Sequence, residues 1–377
     1  MALRTLASVN LAAIERNAAS LRARLAGGAT LCAVVKADAS GHGAVRAARA
    51  ALAGGATSLA VATAQEAAEL RIAGISEPVL VMGAISAEEL PMALGARAEV
   101  TAWSERFVSE LVRGATAPIK VHVKLDTGLG RLGTRGMDEA LAVAASVLAG
   151  TPMLELAGAM THFATADGDP EFMAAQLAAF APFAAELRRR APGVVVHAAN
   201  SAATVRDAAS HFDMVRCGIA LYGCDPMNVD PDRYGLEPAL ELTSYAAAVK
   251  LARPGDSAGY GRRFVAASET WIATLPIGYA DGIRRGLSDN CDALIEGRRY
   301  PLVGAVSMDN VTVDLGPGPE PPVAVGAGAT IIGRDGEQRQ TVEDLANRID
   351  TVAHEILCGI SARVPRRYHR DRVPEPS

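Results

Sequence analysis

Several polar side chains stand directly after short apolar runs, where parallel strands present catalytic groups. Lys36 follows the run Leu31–Val35. Lysine is rarely buried without a partner, and strand ends are often wet, so its ammonium could simply lie in solvent. A lysine at this place could instead form a Schiff base with an aldehyde cofactor, as every pyridoxal-phosphate enzyme requires. Other candidate positions lie at the ends of later runs or just after them: Lys124, Arg131, His162, Asn200, Ser201, Arg216, Gly218 and Ile219.

A candidate phosphate site follows the last two of these runs. Ser201 offers a hydroxyl at the start of a predicted helix, and Gly218 and Ile219 offer backbone N–H groups. Anions bind such groups, and glycine allows a close approach. Asn200-Ser201 also fits an ordinary helix N-cap. In a barrel these groups would face Lys36 across the same barrel mouth, which favours the phosphate site.

Arg216 is a candidate partner for a cofactor ring. A guanidinium is always protonated and only donates hydrogen bonds. Aimed at the pyridine nitrogen of pyridoxal phosphate, it would discourage protonation there and weaken the ring as an electron sink. An ion pair with a nearby carboxylate would explain the same residue.

Eight apolar runs alternate with helical patterns and would position these groups. The alternation predicts a parallel α/β structure, and the count of eight favours a (β/α)8 TIM barrel over a doubly wound sheet. The predicted strands are Leu31–Val35, Ser58–Ala62, Pro78–Met82, Glu99–Trp103, Lys120–Leu125, Leu154–Met160, Val194–His197 and Asp213–Val215.

The pattern changes after a Pro- and Gly-rich linker at 224–235. Short strand-like runs separated by turns predict a mostly β C-terminal domain, with one helical stretch at Val342–Leu357 and one long run at Leu240–Leu251. We therefore predict a barrel domain over 8–230 and a second domain over 236–377, with residues 1–7 pairing with the latter.

Composition excludes several classes of protein. The 377 residues are 50% hydrophobic and carry a net charge of −5 with both signs interspersed, which argues against a nucleic-acid partner. Five cysteines without a CxxC pair predict neither disulfides nor a metal site. No signal peptide or membrane-length apolar run is present, so we expect a cytoplasmic protein and no membrane partner.

Nine segments, in order along almost the whole chain, resemble the alanine racemase family. AVVKADASGHG (33–43) resembles its cofactor-lysine signature. The other segments are VHVKLDTGLGRLG (121–133), AMTHFATAD (159–167), HAANSAAT (197–204), VRCGIALYG (215–223), AGYGRRF (258–264), TLPIGYADG (274–282), PLVGAVSMDNVTVDLG (301–316) and EILCGISARVPRRY (355–368).

The resemblance implies a pyridoxal-phosphate enzyme that inverts Cα of a small amino acid, typically alanine, to supply D-alanine for peptidoglycan. It also implies a homodimer whose active sites combine Lys36 of one subunit with Tyr260 of the other, on opposite faces of the substrate. A phenol ordinarily has a pKa near ~10, so it needs help to act as a base. By resemblance, His162 bonds to that tyrosine and Arg216 stands behind His162.

Further roles follow from the resemblance alone. Arg131 is similar to the arginine that contacts the cofactor's phenolic oxygen and the substrate carboxylate. Lys124 matches the lysine that several members carbamylate. Met308 matches a substrate-binding residue, and Tyr279 resembles a residue on the substrate's access path.

Three departures from the family pattern stand out, two of them at positions of usual tyrosines. Ser40 and His354 stand where tyrosines near the cofactor phosphate are usual, and Ile283-Arg284 replaces a common Tyr-Pro. Smaller side chains at 40 and 354 predict a reshaped pocket, weaker cofactor retention or both. A racemase of altered specificity, for serine, lysine or another amino acid, is the first alternative. A non-catalytic pyridoxal-phosphate-binding protein is the second.

Overall fold

The computed structural model describes residues 3–375, which form two compact units. One unit is Ile14–Leu221; the other joins the described residues up to Ala13 to those from Tyr222 onward. Positions 1–2, part of the N-terminal segment predicted to pair with the second domain, and 376–377 lie outside the described residues. The chain begins with strand β1 (Leu6–Asn10) and helix α1 (Leu11–Ala23).

Eight parallel strands then form a nearly closed barrel, which confirms the predicted fold class. They are β2 (Thr30–Val34), β3 (Ser58–Val61), β4 (Val79–Val81), β5 (Glu99–Ala102), β6 (Ile119–Lys124), β7 (Leu154–Met160), β8 (Val195–His197) and β9 (Met214–Cys217). Their order is β8-β7-β6-β5-β4-β3-β2-β9. Individual hydrogen bonds link the neighbourhoods of β8 and β9 across the remaining seam: the Asp213 N–H donates to the Val196 carbonyl at 3.0 Å, and the Arg216 N–H donates to the Ala199 carbonyl, just after β8, at 2.9 Å.

Helical segments follow the barrel strands. They are α2 (Lys36–Gly41), α3 (Ala44–Ala53), α4 (Ala64–Ile72), α5 (Leu90–Gly95), α6 (Glu105–Gly114), α7 (Met137–Ala149), α8 (Pro170–Arg190) and α9 (Ser201–Arg206). Buried residues of the strands, among them Cys32, Ala60 and Leu80, pack together as barrel core. The strand bounds lie within two residues of those predicted because the apolar runs were short and sharply bounded.

The other unit is mostly β, as predicted. Its further strands are β10 (Leu240–Tyr245), β11 (Ala248–Ala252), β12 (Ser257–Ala258), β13 (Phe264–Val265), β14 (Thr270–Leu275), β15 (Asp292–Ile295), β16 (Arg298–Val303), β17 (Val311–Gly316), β18 (Gly328–Asp335), β19 (Gln338–Gln340), β20 (Arg366–Arg370) and β21 (Val373–Pro374). The main sheet runs β11-β14-β17-β16-β15-β18-β10-β1-β20-β21, with β19 on β18.

Two predictions of element bounds in this unit were wrong. The run Leu240–Leu251 is two strands, because the Ala246 N–H bonds to Ala327 whereas the Ala247 N–H bonds to Thr274, on a different neighbour. The stretch Val342–Leu357 is two helices, α10 (Val342–Arg348) and α11 (Ala353–Cys358). Asp350, with φ of 53°, lies between them in a left-handed conformation that a right-handed helix cannot continue through.

Within residues 3–375, no helix is long and apolar enough to cross a membrane.

Candidate active site

Lys36 is exposed at the end of β2, beside β9, where Ala33 pairs with Cys217. The four residues after it, 37–40, all have left-handed backbone angles, with φ between 51° and 55°. Each such non-glycine residue costs about 1–2 kcal/mol, so the turn persists only where its surroundings hold it. Two carboxylates do so: Glu66 accepts the Ala37 N–H at 2.6 Å, and Asp38 accepts the Ala44 N–H at 2.7 Å.

Arg216 occupies the centre of the barrel site. It is buried in β9, and its Nη1 donates to His197 Nδ1 at 2.7 Å. Its Nη2 donates to His162 Nδ1 at 3.1 Å and to the carbonyls of Thr161 at 2.8 Å and Ala198 at 3.1 Å. Its Nε is buried and has no hydrogen-bond partner within the described chain. The guanidinium is thus fixed by four acceptors and keeps one donor for a bound group.

His162 follows β7 and takes its tautomer from its hydrogen bond with Arg216. Burial, together with the charges of Arg216, Lys124 and Arg131, holds the pKa of His162 well below its ordinary value. The ring is therefore neutral near neutral pH. Because a guanidinium cannot accept, His162 Nδ1 must accept, and the proton lies on Nε2. His162 consequently presents an N–H donor on the side away from Arg216.

Lys124, at the end of β6, is buried beside this cluster. Burial, reinforced by the charges of Arg216 and Arg131, lowers the pKa of Lys124 to about 8. A substantial fraction of its amine is therefore neutral and nucleophilic at mildly alkaline pH.

Arg131 lies on the loop after β6 and is exposed. Asp126 shapes this loop by accepting backbone N–H bonds from Gly128, Leu129 and Gly130 at 2.9–3.1 Å. Burial alone would raise the pKa of Asp126, but these bonds hold it below its ordinary value. Asp126 therefore stays ionised and presents the loop that carries Arg131.

Ser201 and Gly218 meet at the ends of β8 and β9. The Ser201 hydroxyl accepts the Gly218 N–H at 3.0 Å and the Ala220 N–H at 3.4 Å, and Ile219 lies buried between those two donors. The Asn200 side chain accepts the Ala203 N–H at 3.0 Å and so caps α9. The cap and the cluster of polar groups coexist, although the sequence posed them as alternatives.

Three residues escaped the functional assignment from sequence: the half-buried Glu99 and the buried His122 and His197. His122 Nδ1 lies 2.8 Å from His197 Nε2, and His122 Nε2 lies 2.9 Å from Glu99 Oε2. The histidines stand inside strands and within the quoted motifs VHVK and HAAN. Histidines within two buried strands were the available signal, since a buried polar side chain needs a partner.

The other unit holds Tyr260, Tyr279, Met308 and His354. Tyr260 is 76% exposed on a turn between Gly259 and Gly261, whose φ values are 75° and 70°. Together with Ala305, Ser307 and Asn310 it lines a depression of about 290 Å³. This unit therefore places Tyr260 next to the segment 307–310 (SMDN), which carries Met308.

Asp281 joins the segments that carry Tyr279 and Met308. It is fully buried and receives paired hydrogen bonds from Arg4 and Arg363, and Arg363 also bonds to Asp309. Burial alone would raise the pKa of Asp281, but these arginines hold it below its ordinary value. The backbones meet directly, because the N–H groups of 279 and 280 bond to the carbonyls of 307 and 308. Tyr279 and Met308 are about half exposed beside this anchor.

Arg284, which follows GYADG, and His354, in α11, are two of the unusual residues and lie in the same unit. Arg284 Nη2 donates to the Glu355 carbonyl at 2.5 Å, which ties it to the helix that carries His354. His354 itself is exposed.

Known proteins resemble the chain over its whole length. Residues 9–226 match the family described as alanine racemase, N-terminal domain, and residues 239–368 match alanine racemase, C-terminal domain. An alanine racemase of Geobacillus kaustophilus is 40% identical over 98% of this chain and 95% of its own length. Alanine racemase 1 of Bacillus subtilis is 38% identical over 97% and 92%.

Solved structures agree with these sequence matches. Alanine racemase of Bacillus anthracis, with bound L-Ala-P, superposes with a TM-score of 0.91 at 36% identity, covering 100% of this chain and 97% of the other. The enzyme of D-cycloserine-producing Streptomyces lavendulae gives 0.90 at 37% identity, covering 98% of both chains. The chain therefore belongs to the alanine racemase family and is an alanine racemase-like isomerase.

Proposed function

We propose that this chain is a pyridoxal-phosphate-dependent racemase that interconverts L- and D-alanine with two bases, Lys36 and Tyr260 of the partner subunit. The observation that carries the proposal is the state of Arg216. Four acceptors fix its Nη atoms, while its buried Nε retains a donor with no partner in the described chain. Such a donor fits a ring nitrogen that is kept unprotonated.

The barrel residues fit the cofactor in type and place. Lys36 would hold it covalently, and Arg216 Nε would donate to its ring nitrogen. Ser201, Gly218 and Ile219 would bind its phosphate beside Asn200, and Arg131 would donate to its phenolic oxygen. The bound cofactor would supply a conjugated ring that withdraws electrons from Cα and so acidifies the α-proton.

The chain's own groups would move the proton. The Lys36 amine would take or return it at Nζ on one face of Cα, and the phenol of the partner subunit's Tyr260 would do so on the other. His162, with its proton on Nε2, would donate to that phenol oxygen and stabilise the phenolate. Arg131 and Met308 would orient the substrate carboxylate, and Tyr279 would border its access path.

The direct test is α-proton exchange in D2O with chiral analysis of products, across a panel that includes alanine, serine and lysine. Alanine is expected to exchange with inversion in wild type and not in Lys36→Ala. Inversion of another amino acid without alanine would replace the proposed substrate. A protein that binds the cofactor yet exchanges no amino acid would be a cofactor-binding protein without turnover.

Altered specificity is the second candidate function, and Ser40 and His354 favour it. Ser40 belongs to the left-handed turn after Lys36, and only 9% of it is exposed. The family usually has a tyrosine at this position. The shorter side chain of Ser40 leaves space there and would reach a phosphate only through a bridging water.

Ser40→Tyr is expected to strengthen cofactor binding, because a phenol could donate to the phosphate. Spectral titration of apoprotein with pyridoxal phosphate would measure the change, with Ser40→Ala as control. Equal affinity of wild type and Ser40→Tyr would show that position 40 does not limit cofactor retention.

Lys124 is expected to be modified by carbon dioxide as pH rises. The neutral Nζ would attack CO2, form an N–C bond and release one proton. Because the pKa of Lys124 is about 8, modification should be small below that pH and increase through it. Carbon-13 NMR with labelled bicarbonate would detect the carbamate, and Lys124→Gln would remove the signal. An unmodified lysine at alkaline pH would contradict this expectation.

The proposal includes the biological setting. A cytoplasmic homodimer with shared active sites would supply D-alanine for peptidoglycan. The barrel domain would carry the cofactor, and the C-terminal domain would contribute the opposite-face tyrosine to the neighbouring site.

A further inference from the structure

A line of hydrogen bonds runs through the barrel interior from Glu99 to the active-site cluster. Glu99 Oε2 lies 2.9 Å from His122 Nε2, His122 Nδ1 lies 2.8 Å from His197 Nε2, and His197 Nδ1 lies 2.7 Å from Arg216 Nη1. Both histidines are buried, and Arg216 continues the line to His162. Four strands and the end of a fifth contribute to one connected network.

The groups at the two ends of the line determine which ring nitrogen of each histidine carries its proton. Arg216 can only donate, so His197 Nδ1 must accept and its proton lies on Nε2. His122 Nδ1 then accepts that proton, and His122 Nε2–H donates to Glu99. Both rings are consequently neutral between a guanidinium and a carboxylate. The low pKa of His197, caused by burial and the charge of Arg216, agrees with this order.

The backbone is shaped to admit the contact between the histidines. His122 on β6 reaches His197 on β8 past the intervening strand β7. The β6–β7 register shifts between Val121, which pairs with Leu156, and His122, which pairs with Gly158. Such irregularities re-aim side chains. A Cβ at Gly158 would lie 2.0 Å from His122 Nδ1, so only glycine leaves room for the ring.

We propose that Glu99, His122 and His197 are positioning residues that orient the Arg216 guanidinium and thereby fix the tautomer of His162. Because Arg216 keeps its protons, these hydrogen bonds do not conduct a proton. They fix the orientation of the Arg216 side chain. Without the Glu99 acceptor, the His122 Nε2–H is left buried without a partner, which is costly. The His122 ring is then expected to turn away from His197 and lose its preference for the Nε2 proton, and His197, the partner of Arg216, loses the acceptor that holds it in place. The effect on catalysis rests on the proposed function, whereas the tautomer assignment does not.

Nitrogen-15 histidine NMR of the cofactor-free protein tests the tautomers. In wild type near pH 7.5, a pH about one unit above the ordinary histidine pKa, Nδ1 of both His122 and His197 should be unprotonated and Nε2 protonated. Glu99→Leu should shift His122 toward a mixture of tautomers, whereas Glu99→Gln, which keeps an acceptor oxygen, should preserve the pattern. Glu155→Gln is the matched control, because Glu155 lines the same cavity of about 680 Å³ as Glu99 and lies outside the line.

Kinetics of the loaded enzyme provide the second readout. Glu99→Leu should lower kcat about tenfold with little change in KM, as expected when a distant group misplaces a catalytic one. Glu99→Gln should recover most of that loss, and Glu155→Gln should match wild type.

Two results would overturn the proposal. One is a proton on Nδ1 of either histidine in wild type, which needs no variant to fold. The other is a folded Glu99→Leu with wild-type nitrogen signals and wild-type kcat. The predicted nitrogen pattern in a protein that racemises nothing would refute the proposed function and leave the tautomer assignment standing.

Discussion

Tyr260→Phe is expected to lower alanine racemisation by roughly 10²–10⁴-fold, the range typical for loss of a general acid or base. The residue is 76% exposed on a glycine-flanked turn, so removing its hydroxyl should leave the fold intact. The expected defect is confined to one face of the substrate. Lys36 should still exchange the α-proton of one alanine enantiomer in D2O, without inversion.

The measurement is exchange and inversion followed separately for L- and D-alanine. Tyr245→Phe, which removes a hydroxyl from β10, is the matched control and should behave as wild type. If Tyr260→Phe inverts alanine at the wild-type rate, Tyr260 is not the second base.

Arg216→Lys is expected to lower kcat by roughly 10²-fold although it keeps the positive charge, because catalytic geometry is lost. The guanidinium contacts four acceptors through its two Nη atoms and keeps its Nε donor. A lysine ammonium is a single point of charge and cannot reproduce this fork. His162 and His197 would each lose a defined donor.

A second variant separates charge from geometry. The charge of Arg216 helps to hold the pKa of His162 down, so Arg216→Met should let that pKa rise toward its ordinary value. His162 would then protonate at a higher pH, and the acidic limb of the kcat profile should shift upward. Arg216→Lys should not shift it. Equal kcat in wild type and Arg216→Lys would contradict the positioning role.

The barrel was predictable because its strands are apolar runs with polar groups at their ends. Lys36, Lys124, His162 and Arg216 each stand after or at the end of such a run, so their common rim followed from topology. In the other unit the patterns misled: Leu240–Leu251 is uniformly strand-like, yet its middle switches hydrogen-bonding neighbours. That switch depends on residues far away in sequence.

The line through Glu99, His122 and His197 could not be predicted for a related reason. It joins β5, β6 and β8, and its central contact depends on a register shift beside Gly158. Periodicity assigns a residue to a face, but it does not reveal a bulge. The left-handed turn at 37–40 was equally hidden, since none of its residues is glycine.

Complementation between two inactive variants tests the central claim most directly. Lys36→Ala and Tyr260→Phe chains with different affinity tags would be co-expressed and purified through both tags. A mixed dimer would contain one site with both bases intact and one with neither, so about half of wild-type activity per dimer is expected. An inactive mixed dimer would contradict the shared site, and failure of the two chains to co-purify would contradict the dimer.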